Sequence, residues 1–168
     1  MNRPEKKFKC LGYFWLVKRQ YNRLKLTHDG VPFTPGPINF DSGDLELDFF
    51  AFFLFCYHLK DWIKKDPSVD KKTKTGVEDF INSTPCLLDC ANLANGIKHL
   101  RLDKPPRGNR RPRFKSVHRK AHWTPESVVV VDSITMGTDE GEIEAFDLAS
   151  KCLAAWQDYI DKHILGSA

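Results

Sequence analysis

The stretch TPCLLDCANLANGIKHLRL, residues 84–102, has the pattern around which we expect the fold to be organised. Thr84 suits a helix N-cap, and Pro85 suits the first helical position, where no backbone N–H is needed. At about 100° per residue, the apolar side chains gather on one side of a helix: Cys86, Leu87, Cys90, Leu93, Ala94, Ile97 and Leu100. Short hydrogen-bonding groups gather on the other side: Asp89, Asn92, Asn95, Gly96 and His99. These residues predict a core helix whose polar face positions a ligand or a reacting group.

Helical periodicity on both sides of this stretch predicts a mainly α protein, a bundle of about four helices with a small β-hairpin inserted before the last helix. The first helix is expected over 8–26. The second, over 45–64, is apolar on nearly every side and so belongs at the centre of the bundle. We assign one domain to residues 1–168, with helices within 8–102, a basic loop and hairpin over 103–144, and a final helix over 145–165.

The connections are predicted from their glycines, prolines and polar runs. Residues 29–41 and 103–113 should be irregular, and residues 70–75 should form a loop before a short helical turn at 77–81. Within the hairpin, residues 114–123 alternate weakly and residues 127–136 are rich in β-branched side chains. Residues 142–144 are expected to pair back across a turn.

The net charge of +4 conceals an uneven distribution. Residues 98–122 contain ten Lys or Arg and one Asp, which makes this segment +9 and the rest of the chain −5. A basic block on an acidic body favours an anionic partner, RNA or another phosphate-bearing ligand; the alternative is a solvated loop whose charge serves only solubility. The predicted binding residues are Lys98, Arg101, Arg107, Arg110, Arg111, Arg113, Lys115, Arg119 and Trp123. We expect the anion to sit between this basic block and the polar face of residues 84–102.

The five cysteines and the apolar runs restrict the class of protein to which this chain can belong. Cys86 and Cys90 have a spacing found in zinc sites, but no second Cys/His pair accompanies them, so the sequence predicts buried reduced thiols, no metal site and no cofactor. The richest apolar run, residues 49–57, is too short to span a membrane. Without a signal peptide in the sequence, the expected location is the cytoplasm.

Three features resemble the HEPN family of helical bundles: the element Asn95-Gly-Ile-Lys-His99, the aromatic helix FFAFFLFCYHLKDWI at 49–63, and a final helix that bears Trp156. The resemblance covers roughly residues 45–102 and 145–164. It extends to uncharacterised bacterial and phage proteins with a similar NGxKHL helix. The resemblance implies a homodimer. It also implies a role in phage–host conflict.

Active HEPN proteins are metal-independent ribonucleases with a motif of Arg, a polar residue, three further residues and His. Asn95 matches the polar residue and His99 the histidine, but Ala94 stands where the arginine is expected. The resemblance therefore implies RNA phosphodiester cleavage with His99 in proton transfer and Asn92 or Asn95 orienting the phosphate. Asp89 is the remaining predicted member of the catalytic set. The missing arginine leaves open whether the chain is an enzyme.

Two other interpretations stay open. The first is a non-catalytic protein-interaction module, a defence accessory or a phage inhibitor, that uses the same polar helix face as a dimer seam or partner surface. Gly96 would then allow close backbone approach. The second is a hydrolytic metal site built from His58, Asp61, Asp89 and His99 on two neighbouring helices.

Overall fold

In the computed structural model, the residues described are 9–32, 42–98, 106–123, 125, 127–138 and 141–166. These residues form five α-helices and a four-stranded antiparallel sheet. The helices are α1 (Lys9–Asp29), α2 (Ser42–Lys65), α3 (Lys71–Ser83), α4 (Pro85–Lys98) and α5 (Ala145–Ile160). The strands are β1 (Val31–Pro32), β2 (Arg113–Trp123), β3 (Val128–Thr138) and β4 (Gly141–Glu144). A 3-10 turn at Arg107–Asn109 and a π turn at Asp161–Leu165 complete the order. The predicted class, mainly α with a hairpin before the last helix, is confirmed.

Helix α2 lies at the centre of the bundle, as its apolar composition predicts. It contacts each of the four other α-helices. Its core side chains are almost fully buried: Phe49, Phe52, Phe53, Cys56, Leu59 and Ile63. Because the helix is apolar on nearly every side, the remaining large side chains face outward, and Leu47, Phe55 and Trp62 are exposed.

The hairpin of β2 and β3 docks on the bundle through the start of β2 and the end of β3. Val117 lies opposite Ile134, and Phe114 lies opposite Met136, with a bulge between Phe114 and Ser116. Ile134 and Met136 are fully buried, and the Phe114 ring meets the edge of Phe50 at a centroid distance of 4.8 Å. Strand β4 then pairs with the end of β3, so the predicted return strand is confirmed.

The loop predicted over residues 70–75 is wrong, because α3 already begins at Lys71. Asp70 is the N-cap, and its carboxylate accepts hydrogen bonds from the amide and the hydroxyl of Thr73, at 2.9 and 2.5 Å. Thr73, Val77 and Ile81 follow at four-residue spacing and are buried. This buried stripe is only one residue wide, and its first member, Thr73, is polar. Because lysines and threonines surround it, the sequence pattern was typical of a loop rather than of an amphipathic helix.

The loop predicted over 29–41 begins with a short strand. Val31 and Pro32 pair with Val130 and Val129 of β3. Gly30 precedes the strand at a φ of 96°, a left-handed conformation that favours glycine. Residues 33–41 lie outside the described residues.

Candidate nucleic-acid interface

The polar face of α4 is covered by the segment that follows it in the described chain, residues 106–110. Asn92 is buried, and its side-chain amide makes three hydrogen bonds with backbone groups of this segment. The Nδ2 donates to the carbonyls of Arg107 and Arg110, both at 2.9 Å, and the Oδ1 accepts from the amide of Arg107 at 2.8 Å. Asn92 therefore holds the 3-10 turn against the helix.

Asp89, one turn earlier on α4, binds a predicted nucleic-acid-binding residue. The Nε and one terminal nitrogen of Arg110 donate to the two carboxylate oxygens, each at 2.7 Å. The Asp89 side chain is 5% exposed and that of Arg110 is 15% exposed. A bidentate pair at these distances is charge-assisted and rigid. The basic segment and the polar helix face are thus in contact, and the anion that Arg110 binds there is Asp89 itself.

Arg107 is held by a second acidic group. Its guanidinium donates to Glu78 at 3.0 Å, to Asn82 at 3.0 Å and to the hydroxyl of Tyr57 at 3.0 Å. Lys64 also donates to Glu78 at 3.0 Å. Burial raises the pKa of Glu78, but the hydrogen bonds from Lys64 and Arg107 outweigh burial and lower that pKa to about 2. Glu78 is therefore a half-buried anion that anchors the basic segment.

Two cations of β2 are also paired. Arg119 binds the buried Asp132 across the hairpin at 2.7 and 2.8 Å, and Lys115 binds Glu142 of β4 at 2.6 Å. Among the described residues, no carboxylate forms an ion pair with Arg113 or Lys120, and both side chains are exposed. Much of the positive charge counted in the sequence is therefore offset by the acidic body.

The distal half of β2 is the exposed part of the hairpin. In the described sheet β2 pairs only with β3, so it is an edge strand. His118, Lys120 and His122 alternate along one face and are all exposed. Trp123, the last residue of the strand, is 83% exposed. We call residues 118–123 the distal β2 strip; it presents imidazole, ammonium and indole groups to solvent.

Of the other predicted catalytic residues, Asn95 lies in the last turn of α4. Asn95 is half-buried and Gly96 is exposed. His99 and Arg101 lie outside the described residues, and of Lys98 only the helical backbone is described. The structure thus brings Asp89 and Asn92 together with Arg107 and Arg110, and the catalytic role of the set stays a prediction.

His58 and Asp61 form a pair on α2, as their spacing predicts. The Nδ1 of His58 lies 3.0 Å from the Asp61 carboxylate, which also accepts from Lys60 at 2.9 Å. Burial raises the pKa of Asp61, but these two hydrogen bonds outweigh burial and lower it. In the suggested set of four metal ligands, each oxygen of Asp89 accepts a hydrogen bond from Arg110, whose positive charge disfavours a metal cation at that carboxylate.

A group that the sequence analysis missed lies in the core. The Sγ atoms of Cys56, Cys90 and Cys152 all lie within 4.8 Å of one another, and all three residues are buried. Burial raises the pKa of Cys90 and Cys152 well above the usual thiol value. At Cys56 burial also raises the pKa, but the neighbouring polar groups of Cys152, Cys90 and Trp156 outweigh burial and lower the pKa. Cysteines 34 and 62 residues apart carry no local motif, so the sequence analysis, which considered only Cys86 and Cys90, did not find this group.

Comparison of the chain with protein-family models, with curated proteins and with solved structures finds no match. None of the described helices combines the length and the apolar content that crossing a membrane requires.

Proposed function

We propose that this protein binds RNA, or another phosphate-bearing ligand, through the distal β2 strip. The observation that carries the proposal is the 83% exposure of Trp123 at the end of a basic edge strand. The other large aromatic side chains of the described chain are mostly packed in or against its core, whereas the indole of Trp123 is exposed to water. Its flat apolar surface is one on which an unpaired base can stack. Lys120 in the strip and Arg113 at the opposite end of β2 have no ion pair within the described chain, and they supply cations for phosphates.

The paired arginines have a different role in this proposal. Arg107, Arg110 and Arg119 are bound by Glu78, Asp89 and Asp132, so they hold the basic segment and the hairpin in place. Binding by the strip then depends on stacking as well as on charge. We expect single strands to bind more tightly than duplexes, because only unpaired bases expose a face to the indole.

The test is a binding titration with a fluorescently labelled single-stranded RNA. Trp123→Ala should weaken binding by about 5- to 150-fold, which corresponds to the 1–3 kcal/mol of one stacked base. Lys120→Ala should reduce the slope of log K against log salt by about 0.7, the value for one phosphate contact on a single strand. Lys151→Ala, which removes an exposed lysine from α5, is the matched control and should leave the slope unchanged.

Equal binding by wild type and Trp123→Ala, or a salt response that is flat in wild type, would remove the proposal. Arg110 is unsuitable for this test, because its replacement also leaves the buried Asp89 unpaired.

We extend this proposal to ribonuclease activity and to a role in phage–host conflict, both of which the HEPN resemblance implies. In that extension His99 transfers a proton and Asn95 orients the phosphate, while Asp89 and Asn92 support the loop. Incubation with labelled RNA tests it directly: His99→Ala should abolish cleavage without weakening binding to the strip. Cleavage that persists in this variant would exclude His99 as the catalytic group.

A second candidate function is the protein-interaction module, which the sequence predicted on the polar face of α4. Asp89 and Asn92 of that face are buried against residues 106–110, so we place the module on an exposed aromatic patch of α1 and α2. Tyr13 stacks on Trp62 at a centroid distance of 4.8 Å and meets the edge of Phe55 at 6.2 Å. Trp62 is 44% exposed and Phe55 37%. If this patch binds a protein or a second copy of the chain, Trp62→Ser should change the mass measured by light scattering, or lose the partner, while RNA binding stays unchanged.

A further inference from the structure

Three helices bring one cysteine each to a single point in the core. Cys56 comes from the middle of α2, Cys90 from α4 and Cys152 from α5. Their Sγ atoms lie within 4.8 Å of one another, and no side chain of the three is more than 1% exposed. We call these three residues the thiol cluster. Thiolates at such separations are the ligands that zinc and other soft metal ions prefer.

The spacing of the sulfur atoms suits a metal ion after a small contraction. Zn–S bonds of about 2.3 Å at tetrahedral angles put neighbouring sulfurs about 3.8 Å apart. The sulfurs of the thiol cluster therefore have to approach by about 1 Å at most. Their present hydrogen bonds are weak: Cys90 donates to the carbonyl of Phe53 at 3.5 Å, and Cys152 donates to that of Cys86 at 3.2 Å. Both carbonyls lie inside helices, where backbone amides already bond them, so losing the thiol protons leaves no acceptor without a partner.

Trp156 provides an independent observation that points to a ligand at this place. It lies one turn after Cys152 on α5 and is 1% exposed, and within the described chain its indole Nε1 has no hydrogen-bond partner. An unpaired buried N–H is costly, whereas a metal-bound thiolate is an acceptor for it.

Cys86 gives the thiol cluster a side that faces solvent. It precedes Cys90 by one turn on α4 and is half-buried, and its backbone carbonyl accepts from the thiol of Cys152 at 3.2 Å. Its own Sγ lies outside the group of three that are within 4.8 Å of one another, so it has to turn inward to join them. A fourth sulfur there completes the four-coordinate shell that zinc adopts in structural sites. It also gives an incoming ion a first ligand outside the fully buried core.

We propose that Cys56, Cys90 and Cys152 bind one zinc ion as thiolates, with Cys86 as the fourth ligand. Each thiol releases one proton on binding, so four thiolates and Zn²⁺ leave a charge of −2, for which the unpaired indole N–H of Trp156 is an available donor. The ion ties α2, α4 and α5 together at the centre of the bundle. It is a structural site, separate from the distal β2 strip and independent of RNA binding.

The experiment uses the full chain, purified under reducing, oxygen-free conditions, stripped with a chelator and titrated with Zn²⁺ or Co²⁺. Wild type should bind one ion per chain, with sulfur-to-cobalt charge-transfer absorption for Co²⁺. X-ray absorption at the zinc edge should show a shell of sulfur at about 2.3 Å. Failure of the folded, reduced wild type to bind, or a shell of nitrogen and oxygen alone, would overturn the proposal without any variant.

Variants locate the site. Cys56→Ser and Cys152→Ser should lose stoichiometric binding, whereas Cys10→Ser, which replaces a buried cysteine of α1 outside the cluster, should retain it. Trp156→Phe should keep one ion but weaken its affinity by about 10- to 100-fold, as the loss of an outer hydrogen bond does at other metal sites. Equal loss in Cys10→Ser and Cys56→Ser would overturn the assignment. The assignment would also be overturned if the chain has a disulfide between two residues of the thiol cluster and binds no metal after that disulfide is reduced.

Discussion

Replacing Asp89 with Asn removes the charge that holds Arg110 and nearly preserves the shape of the side chain. Asp89 belongs to the set that the sequence predicts as catalytic, so this substitution separates a role in chemistry from a role in folding. In the structure both carboxylate oxygens accept from Arg110 at 2.7 Å, and the two side chains are 5% and 15% exposed. The Asn side chain keeps one acceptor and presents an NH₂ group to a guanidinium that only donates.

The expected loss of stability is large because the arginine stays behind. Removing one partner of a buried pair costs about 3–5 kcal/mol, much of it from the remaining unpaired charge. A chain of this length loses about 2–4 °C of Tm for each kcal/mol. Asp89→Asn should therefore lower Tm by about 6–20 °C. The double variant Asp89→Leu with Arg110→Met should lose less than the single variant, because it leaves no unpaired charge in the interior.

Urea denaturation followed by tryptophan fluorescence measures the effect, with the slope m checked for constancy. Glu142→Gln is the matched control: it breaks the exposed pair with Lys115 and should leave the midpoint nearly unchanged. The reasoning is refuted if Asp89→Asn unfolds at the wild-type urea concentration. If the same variant also loses RNA cleavage, the carboxylate acts in chemistry.

Three further predictions concern the surroundings of α4 and the sheet. Glu78 has a pKa lowered from 4.5 to about 2, so its stabilising contribution is complete above pH 4.5 and disappears as the pH falls to 2. Thermal unfolding of Glu78→Gln should show a flatter pH profile in that window, and an unchanged profile would contradict the assignment. Asn92→Ala should cost about 3 kcal/mol in urea denaturation, from three hydrogen bonds at about 1 kcal/mol each. Gly30→Ala should cost about 1–3 kcal/mol, because φ is 96° and the new Cβ would lie 2.4 Å from the Cγ1 of Val129. A loss no larger than that of Gly96→Ala, where the added Cβ meets nothing within 4 Å, would contradict the strain argument.

Periodicity was enough to locate most of the regular elements. The apolar residues of α2 and α5 predicted their core faces, and the β-branched run of β3 predicted the strand, because burial alone explains those patterns. Helix α3 was underpredicted, since its stripe is narrow and its N-cap, Asp70, lies in a run that looks like a loop. The strand at Val31–Pro32 was also missed, because two residues carry no period and their pairing with β3 is non-local.

The sequence by itself determined which side chains of α4 face away from the apolar core cluster, and it placed a dense basic segment after them. Only the tertiary structure decided how those charges are used: Arg110 meets Asp89, Arg107 meets Glu78, and Trp123 is left in water. It also decided that Cys56 lies beside Cys90 and Cys152. The physical reason is that a helical period fixes the face on which a side chain lies, whereas its partner is set by the packing of segments far apart in the chain.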